Sequence, residues 1–153
     1  MKVTIEPASI RLLEELYRIE KLSFDTEAFA KREIAYLLSD TATLGLIARI
    51  GSEIVGFLIA RTNMEEDKMF GHIFTLDVAP SYRRKGVAQR LLEELESLLK
   101  KRQIVECRLE VREDNVAALN LYLKLGYKRL ARLENYYGGT HGLYLRKFFS
   151  SSE

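Results

Sequence analysis

The stretch "SYRRKGVAQRLLEELE", Ser81 to Glu96, joins three consecutive cations, a glycine and the start of an amphipathic helix. Just before it, "MFGHIFTLDVAP", Met69 to Pro80, reads as a strand that Pro80 ends. Beyond it, Val87, Leu91, Leu92, Leu95, Leu98 and Leu99 share one side of a helix predicted from about Gly86 to Arg102. The unit is strand, short basic loop, glycine, helix. Arg83, Arg84 and Lys85 stand at the helix end whose dipole is already positive, where cations are mildly unfavourable. The first amides of a helix are donors without intrahelical partners, and Gly86 allows the main chain to approach a ligand closely. Donors, dipole and cations together form an anion site, and a pyrophosphate would satisfy all three. A solvated basic loop is the plainer reading of the same triplet. Neither a P-loop nor a G-x-G-x-x-G dinucleotide pattern is present.

Outward from this unit, hydrophobic periodicity defines the other elements. "KVTIE" reads as a short strand, and Ser9 caps a helix carrying Ile10, Leu13, Leu16, Tyr17 and Ile19. A second helix fits "TEAFAKREIAYLLSD", from Thr26 to Asp40. "TLGLIARI", a Gly51-Ser52 turn and "EIVGFLIART" make a hairpin. In "IVECRLEVR", Val105, Cys107, Leu109 and Val111 face one way and Glu106, Arg108, Glu110 and Arg112 the other. Asn115 caps "VAALNLYLKL", which Gly126 stops, and the strands "YKRLARLEN" and "GLYLRKFF" flank the loop "YYGGTHG". The order is β-α-α-β-β-β-α-β-α-β-β, an α/β (α+β) arrangement with helices packed on a mixed sheet. No linker, repeat or low-complexity segment interrupts it. A single domain is expected over residues 1–153, with "SSSE" at 150–153 as a loose tail.

Composition restricts the function. The chain has 153 residues, 47% hydrophobic and 30% charged, and 24 Lys plus Arg against 22 Asp plus Glu. A net charge of +2 argues against a general nucleic-acid or membrane binder, so any basic patch is local. The single Cys107 excludes an internal disulfide framework and suggests a reducing compartment; two His and one Cys are too few for a typical zinc site. The start of the chain has no long apolar run, so neither a signal peptide nor a membrane span is expected there. A cytoplasmic location is the expectation.

Arg83-Arg84-Lys85-Gly86-Val87-Ala88 matches the [QR]-x-x-G-x-[GA] signature of the GNAT acetyltransferases. "LEVREDNVAALNLYLKLGY", Leu109 to Tyr127, resembles the second hallmark of that family, and "ENYYGGTHGLYL" resembles the tail of its RimI-like branch. That branch contains bacterial, eukaryotic and archaeal protein N-terminal acetyltransferases. The resemblance is close from about His72 to Leu145 and looser before that. It implies a mixed, mostly antiparallel sheet of about seven strands flanked by about four helices. It also implies acetyl-CoA as co-substrate, no metal, and the N-terminal α-amine of a protein or peptide as acceptor.

Site residues follow from the same resemblance. Leu76, Asp77 and Val78 would pair their backbone with the pantetheine arm as if it were another strand. Arg83, Arg84, Lys85, Gly86, Val87, Ala88 and Gln89 would hold the pyrophosphate, through amides more than side chains. Asn115 would contact the cofactor as well as cap its helix. Tyr122 would protonate the departing thiolate; the plainer alternative is a core aromatic on the apolar helix face with Leu119. Glu110 and His72 would be the candidate bases, directly or through water. Without the resemblance, Glu110 is one charge on a polar strand face and His72 a packed histidine. Strict alternation does not put the two in one cleft, but a bulge of the kind the family has in this strand would re-aim one of them. Asp77 departs from the branch, which usually has a small or apolar residue there. It reads either as solvent-facing or as an extra substrate contact.

Tyr136 and Tyr137 match the segment that grips the first residues of a peptide, or else they close a hairpin. The opposite wall of that pocket is expected from "SFDTEAF", including Phe24, where the proline-containing phrases of the relatives are missing. An α-amine, with a pKa near ~7.8 against ~10.4 for lysine, needs only a modest base. Cys107, on the apolar face of its strand, reads as core, so direct transfer in a ternary complex is favoured over a ping-pong route. Two rival readings are acetylation of a small amine, such as a polyamine or an antibiotic, and a CoA-binding module without turnover. The sequence leaves open the preferred N-terminal residue, and whether the chain works alone, as a homodimer or with an auxiliary subunit.

Overall fold

The computed structural model describes residues 2–24 and 28–149. Seven strands form one sheet: β1 (Val3–Pro7), β2 (Thr43–Ile50), β3 (Glu53–Glu65), β4 (Lys68–Val78), β5 (Glu106–Arg112), β6 (Lys128–Leu133) and β7 (Gly142–Phe148). Four helices flank it: α1 (Leu13–Ser23), α2 (Lys31–Ser39), α3 (Val87–Lys101) and α4 (Val116–Lys124). The strand order is β1-β2-β3-β4-β5-β7-β6, and β4 with β5 is the parallel pair in an otherwise antiparallel sheet.

Apolar periodicity explains how the layers pack. On one face Val87, Leu91, Leu92, Leu95 and Leu99 of α3 are buried against Leu58, Ile73, Cys107 and Leu109. Each leucine so buried contributes roughly 1.5–3 kcal/mol. Lys100 and Lys101 in the last turn of α3 complement its dipole. On the other face Leu16, Ile19, Ile34 and Leu37 of α1 and α2 cover Ile47, Ile54, Phe57 and Ile59. The helices α1 and α2 pack on β2, β3 and β4. Arg108 of β5 is buried there in a polar network instead, with Nε 2.7 Å from Glu106 and Nη2 2.9 Å from Glu65.

Several boundaries differ from the sequence expectation. Ser9 accepts from the Arg11 amide and opens a 3₁₀ turn, Ile10–Leu12, before α1 begins. The second helix starts at Lys31; Ala28–Ala30 are not helical, and Asp25–Glu27 lie outside the described residues, as does the 150–153 tail. The strands β3 and β4 run on to a two-residue turn at Glu66-Asp67, both at positive φ (51° and 64°). Without Gly or Asn, that turn carries no sequence signal. Val105 is exposed and Glu106 buried, the reverse of the alternation reading, because β5 starts only at Glu106 and both of its faces are covered there.

Candidate active site

The site forms where two parallel strands part. Pairing of β4 with β5 covers Gly71–Cys107, His72–Arg108 and Ile73–Leu109, and no further pair follows among the described residues. Beyond Ile73 the strands diverge, so Thr75–Val78 pair with β3 on one edge and are unpaired with β5 on the other, and Phe74, Thr75 and Leu76 line a cleft there. The cleft has a volume of about 340 Å³. Its walls come from β4, β5, α1, α4, from Phe24 and Phe29 between α1 and α2, and from the pair Tyr136 and Tyr137.

A bulge in β4 aims the side chains. Ile59 opposes Thr75 and Ala60 opposes Ile73, which leaves Phe74 as an extra residue. His72 and Phe74 lie on the α1/α2 side, and after the bulge Thr75 and Asp77 lie there too, beside Ile59 and Phe57. His72 lies opposite Arg108 in the parallel pair, so it shares a face with Glu110 of β5: Nε2 is 2.7 Å from Oε1, and each side chain is about a fifth exposed, 18% and 20%. With the carboxylate as acceptor, Nε2 carries the hydrogen. The imidazole edge packs on Phe74 at 4.8 Å. The two bases predicted from sequence thus form one hydrogen-bonded pair open to the cleft.

Tyr122 enters from the opposite side. Its helix ends in a Schellman motif: Gly126 has φ +99°, Tyr127 N–H donates to Tyr122 O (3.0 Å) and Gly126 N–H to Leu123 O (3.2 Å). This lock sets the Tyr122 ring edge-on to Tyr127 at 5.8 Å. The phenol is buried yet lines the cleft, and burial pushes its pKa well above the ordinary tyrosine range. Asn115 caps the same helix, its Oδ1 accepting from the Ala118 amide at 3.2 Å, and also lines the cleft.

The basic loop turns through two left-handed residues, Arg84 (φ +62°) and Gly86 (φ +80°). Gly86 is the N-cap of α3 and offers no side-chain cap; a Cβ built there meets nothing within 4 Å. Exposed loop, uncapped helix amides and open space fit a pyrophosphate. Arg83 differs from its neighbours, because its Nε turns back to the Val78 carbonyl at 3.0 Å. Leu76 lines the cleft itself.

The tyrosine pair is set by loop hydrogen bonds. Tyr137 N–H donates to Thr140 O (3.1 Å) and Glu113 N–H to His141 O (2.9 Å). The rings of Tyr136 and Tyr137 cross edge to face at 4.9 Å, and Arg112 stands over Tyr137 at 5.8 Å. Both tyrosines line the cleft, as do Phe24 and Phe29 across from them. Burial pushes the Cys107 thiol up to about 12, so the thiolate that a ping-pong route requires is scarce.

Asp77 corrects both sequence readings. It neither faces solvent nor lines the cleft: it is 1% exposed and hydrogen-bonded to Thr75. Glu20 and Thr75 line the cleft and were missed by sequence reasoning; Phe29, which also lines it, ends the "SFDTEAF" stretch expected to form that wall. Glu20 had a signal, standing four residues after Leu16 on the inward stripe of α1, where an acid is out of place.

A sequence profile of the Acetyltransferase (GNAT) family matches residues 10–127. The chain belongs to the GNAT acetyltransferase family. An N-alpha-acetyltransferase of Saccharolobus solfataricus is 27% identical over 93% of this chain and 90% of its own. The N-terminal acetyltransferase B complex catalytic subunit of Arabidopsis thaliana is 33% identical over 65% of this chain, and the match spans 59% of that relative's length. Among solved structures, the ribosomal-protein alanine N-acetyltransferase of Escherichia coli superposes with a TM-score of 0.85 at 26% identity, covering 99% of this chain and 97% of that one. The fold and the acetyltransferase class expected from sequence both hold. Among the described residues no helix is long and apolar enough to cross a membrane.

Proposed function

We propose that this GNAT enzyme transfers the acetyl group of acetyl-CoA to the N-terminal α-amine of a protein or peptide, directly, in a ternary complex. The observation that carries the reading is the cleft itself. A base pair, His72–Glu110, and a protonated phenol, Tyr122, line one space between parted strands, with an aromatic-walled acceptor end beside them. The names of the relatives support the acceptor class.

The cofactor supplies an activated acetyl thioester. The main-chain amides from Arg84 to Gln89 hold its pyrophosphate, with charge from Arg84 and Lys85. The free edge of Leu76, Asp77 and Val78 lines its pantetheine arm, and Asn115 closes the side. Glu110, with His72 bonded to it, accepts the proton of the attacking ammonium directly or through water. Tyr122, kept neutral by burial, gives its proton to the leaving thiolate. Tyr136, Tyr137 and Phe24 hold the first residues of the acceptor, rings against side chain and hydroxyls against main chain.

The test is incubation of the purified protein with acetyl-CoA and either peptides differing in the first residue or spermidine, following free thiol. Peptide-dependent thiol release with α-N-acetylated product is the expected result. Release with spermidine alone would move the reading to a small-amine acetyltransferase. Binding of acetyl-CoA with no release in any arm would make the chain a CoA-binding module.

A further inference from the structure

Three buried polar side chains sit behind the acceptor end of the cleft. Glu20 of α1 is 1% exposed, Thr75 of β4 5% and Asp77 1%. Thr75 Oγ1 lies 2.8 Å from Glu20 Oε1 and 2.5 Å from Asp77 Oδ1. One hydroxyl carries one hydrogen and donates once. The second short oxygen–oxygen contact therefore needs a hydrogen from a carboxyl group. Asp77 is the carboxyl that fits, because its Oδ2 is buried without a hydrogen-bond partner, which a neutral acid tolerates far better than a carboxylate. The chain then has a single direction: Asp77 O–H donates to Thr75 Oγ1, and Thr75 O–H donates to Glu20 Oε1. At its far end Phe29 N–H donates to Glu20 Oε2 at 3.0 Å.

The surroundings agree. Across β3 the neighbours of Asp77 and Thr75 are Phe57 and Ile59, both apolar. Glu20 faces the acid from α1, Arg83 from the loop after β4, and Tyr122 from α4. Burial, followed by the bond to Glu20 and its charge, pushes the Asp77 carboxyl well above the ordinary range, against Thr75 and the more distant Arg83.

Glu20 also holds Phe24 and Phe29, which wall the acceptor end of the cleft. Its main-chain carbonyl accepts from Phe24 N–H at 3.0 Å, and its carboxylate accepts from Phe29 N–H.

We propose that Glu20 is the positioning residue of the acceptor wall, held in place by one buried proton shared along Asp77, Thr75 and Glu20. The chain ties the strand that receives the cofactor to the segment that receives the amine. This rests on the assignment of that end of the cleft to the acceptor.

Four variants and three readouts test it. Glu20→Ala removes the carboxylate that Phe29 and Thr75 use. Glu20→Gln still accepts from Phe29 and can donate to the Thr75–Asp77 end without the extra proton. Thr75→Val cuts the bridge while keeping the packing, and serves if Glu20→Ala fails to fold. Glu20→Ala and Thr75→Val should raise the peptide KM roughly tenfold, as expected for a lost charge-assisted hydrogen bond, with smaller changes in kcat and in acetyl-CoA affinity. Glu20→Gln should restore most of the KM. Hydrogen exchange at the Phe29 amide should quicken in Glu20→Ala and Thr75→Val and not in Glu20→Gln. Infrared spectra should show a protonated-carboxyl band in the wild type that Asp77→Asn removes. An unchanged KM and unchanged Phe29 exchange in both disruptive variants would overturn the positioning role, and absence of the band would overturn the shared proton. Exchange and infrared need no turnover. A wild-type protein that acetylates no peptide would sink the acceptor assignment while these two measurements still decide the chain.

Discussion

Under the proposed function, the two halves of the site would bind by opposite means. On the cofactor half the main chain would provide the contacts: uncapped amides at the start of α3, a glycine at φ +80°, and a strand edge freed where β4 leaves β5. On the acceptor half the cleft-lining side chains would provide them: His72, Glu110, Tyr122, Tyr136 and Tyr137. A main-chain site tolerates many side chains but few changes of backbone geometry. A side-chain site has the reverse sensitivity. The difference fits the two ligands, since the cofactor is constant and the acceptor is variable in sequence.

The largest expected effect breaks the cofactor half through its backbone. Gly86→Glu imposes a side chain at positive φ and a negative charge where a pyrophosphate is expected. Strain of about 1–2 kcal/mol plus repulsion should weaken acetyl-CoA by ~100-fold or more. The empty space around Gly86 means the variant should still fold. Calorimetry finding normal acetyl-CoA affinity in a folded Gly86→Glu protein would refute main-chain binding at this loop.

On the acceptor half, Tyr122→Phe deletes one hydroxyl and should lower kcat by ~10²–10³-fold, as for a lost general acid. The deficit should persist at every pH below the raised phenol pKa, because no rise in pH within that range replaces the lost proton. Acetyl-CoA affinity should stay near wild type, so that the loss lies in the chemical step. A Tyr122→Phe enzyme with full kcat would require the thiolate to leave unassisted.

Glu110→Gln should cost less, about 10²-fold in kcat near neutral pH. Part of the loss should return as pH rises past the α-amine pKa of ~7.8, where the acceptor arrives already neutral. The shape of the pH–rate profile separates the two roles: rescue at high pH for the base, none for the acid. A profile unchanged by Glu110→Gln would shift the base role to His72 or to water.

The smallest effect returns to the cofactor half. Arg84→Ala removes a cation and leaves every amide in place. Acetyl-CoA should weaken by at most about fivefold, and less at high salt, in keeping with an exposed charge. A loss as large as that of Gly86→Glu would mean that the guanidinium holds the cofactor, and the contrast between the two halves would fail.

The basic loop, the α3 leucines and the alternation of β5 from Cys107 onward were legible in the sequence because each is a local pattern with its own physical signature. The same holds for Asn115 as a cap and for Gly126 as a helix stop. Residue types and family spacing were enough to single out His72, Glu110, Tyr122 and the tyrosine pair. They did not place His72 beside Glu110. That required the parallel pairing of His72 with Arg108, which stands two residues before Glu110 on the same strand face. The bulge at Phe74 comes after His72 and redirects Thr75 and Asp77.

By itself, then, the sequence determined which segments are helix or strand and which chemistry the chain can carry, since periodicity, caps and side-chain types act over a few residues. Tertiary structure alone decided where β4 and β5 part, and that Glu20, Thr75 and Asp77 meet. These residues lie 55 and 2 positions apart along the chain, and they come together only when α1 packs onto the strand after its bulge. Charge state is the clearest case. Asp77 is an acid by sequence, but it is buried beside Thr75 and Glu20, and that burial raises its pKa. Desolvation depends on what the rest of the fold covers.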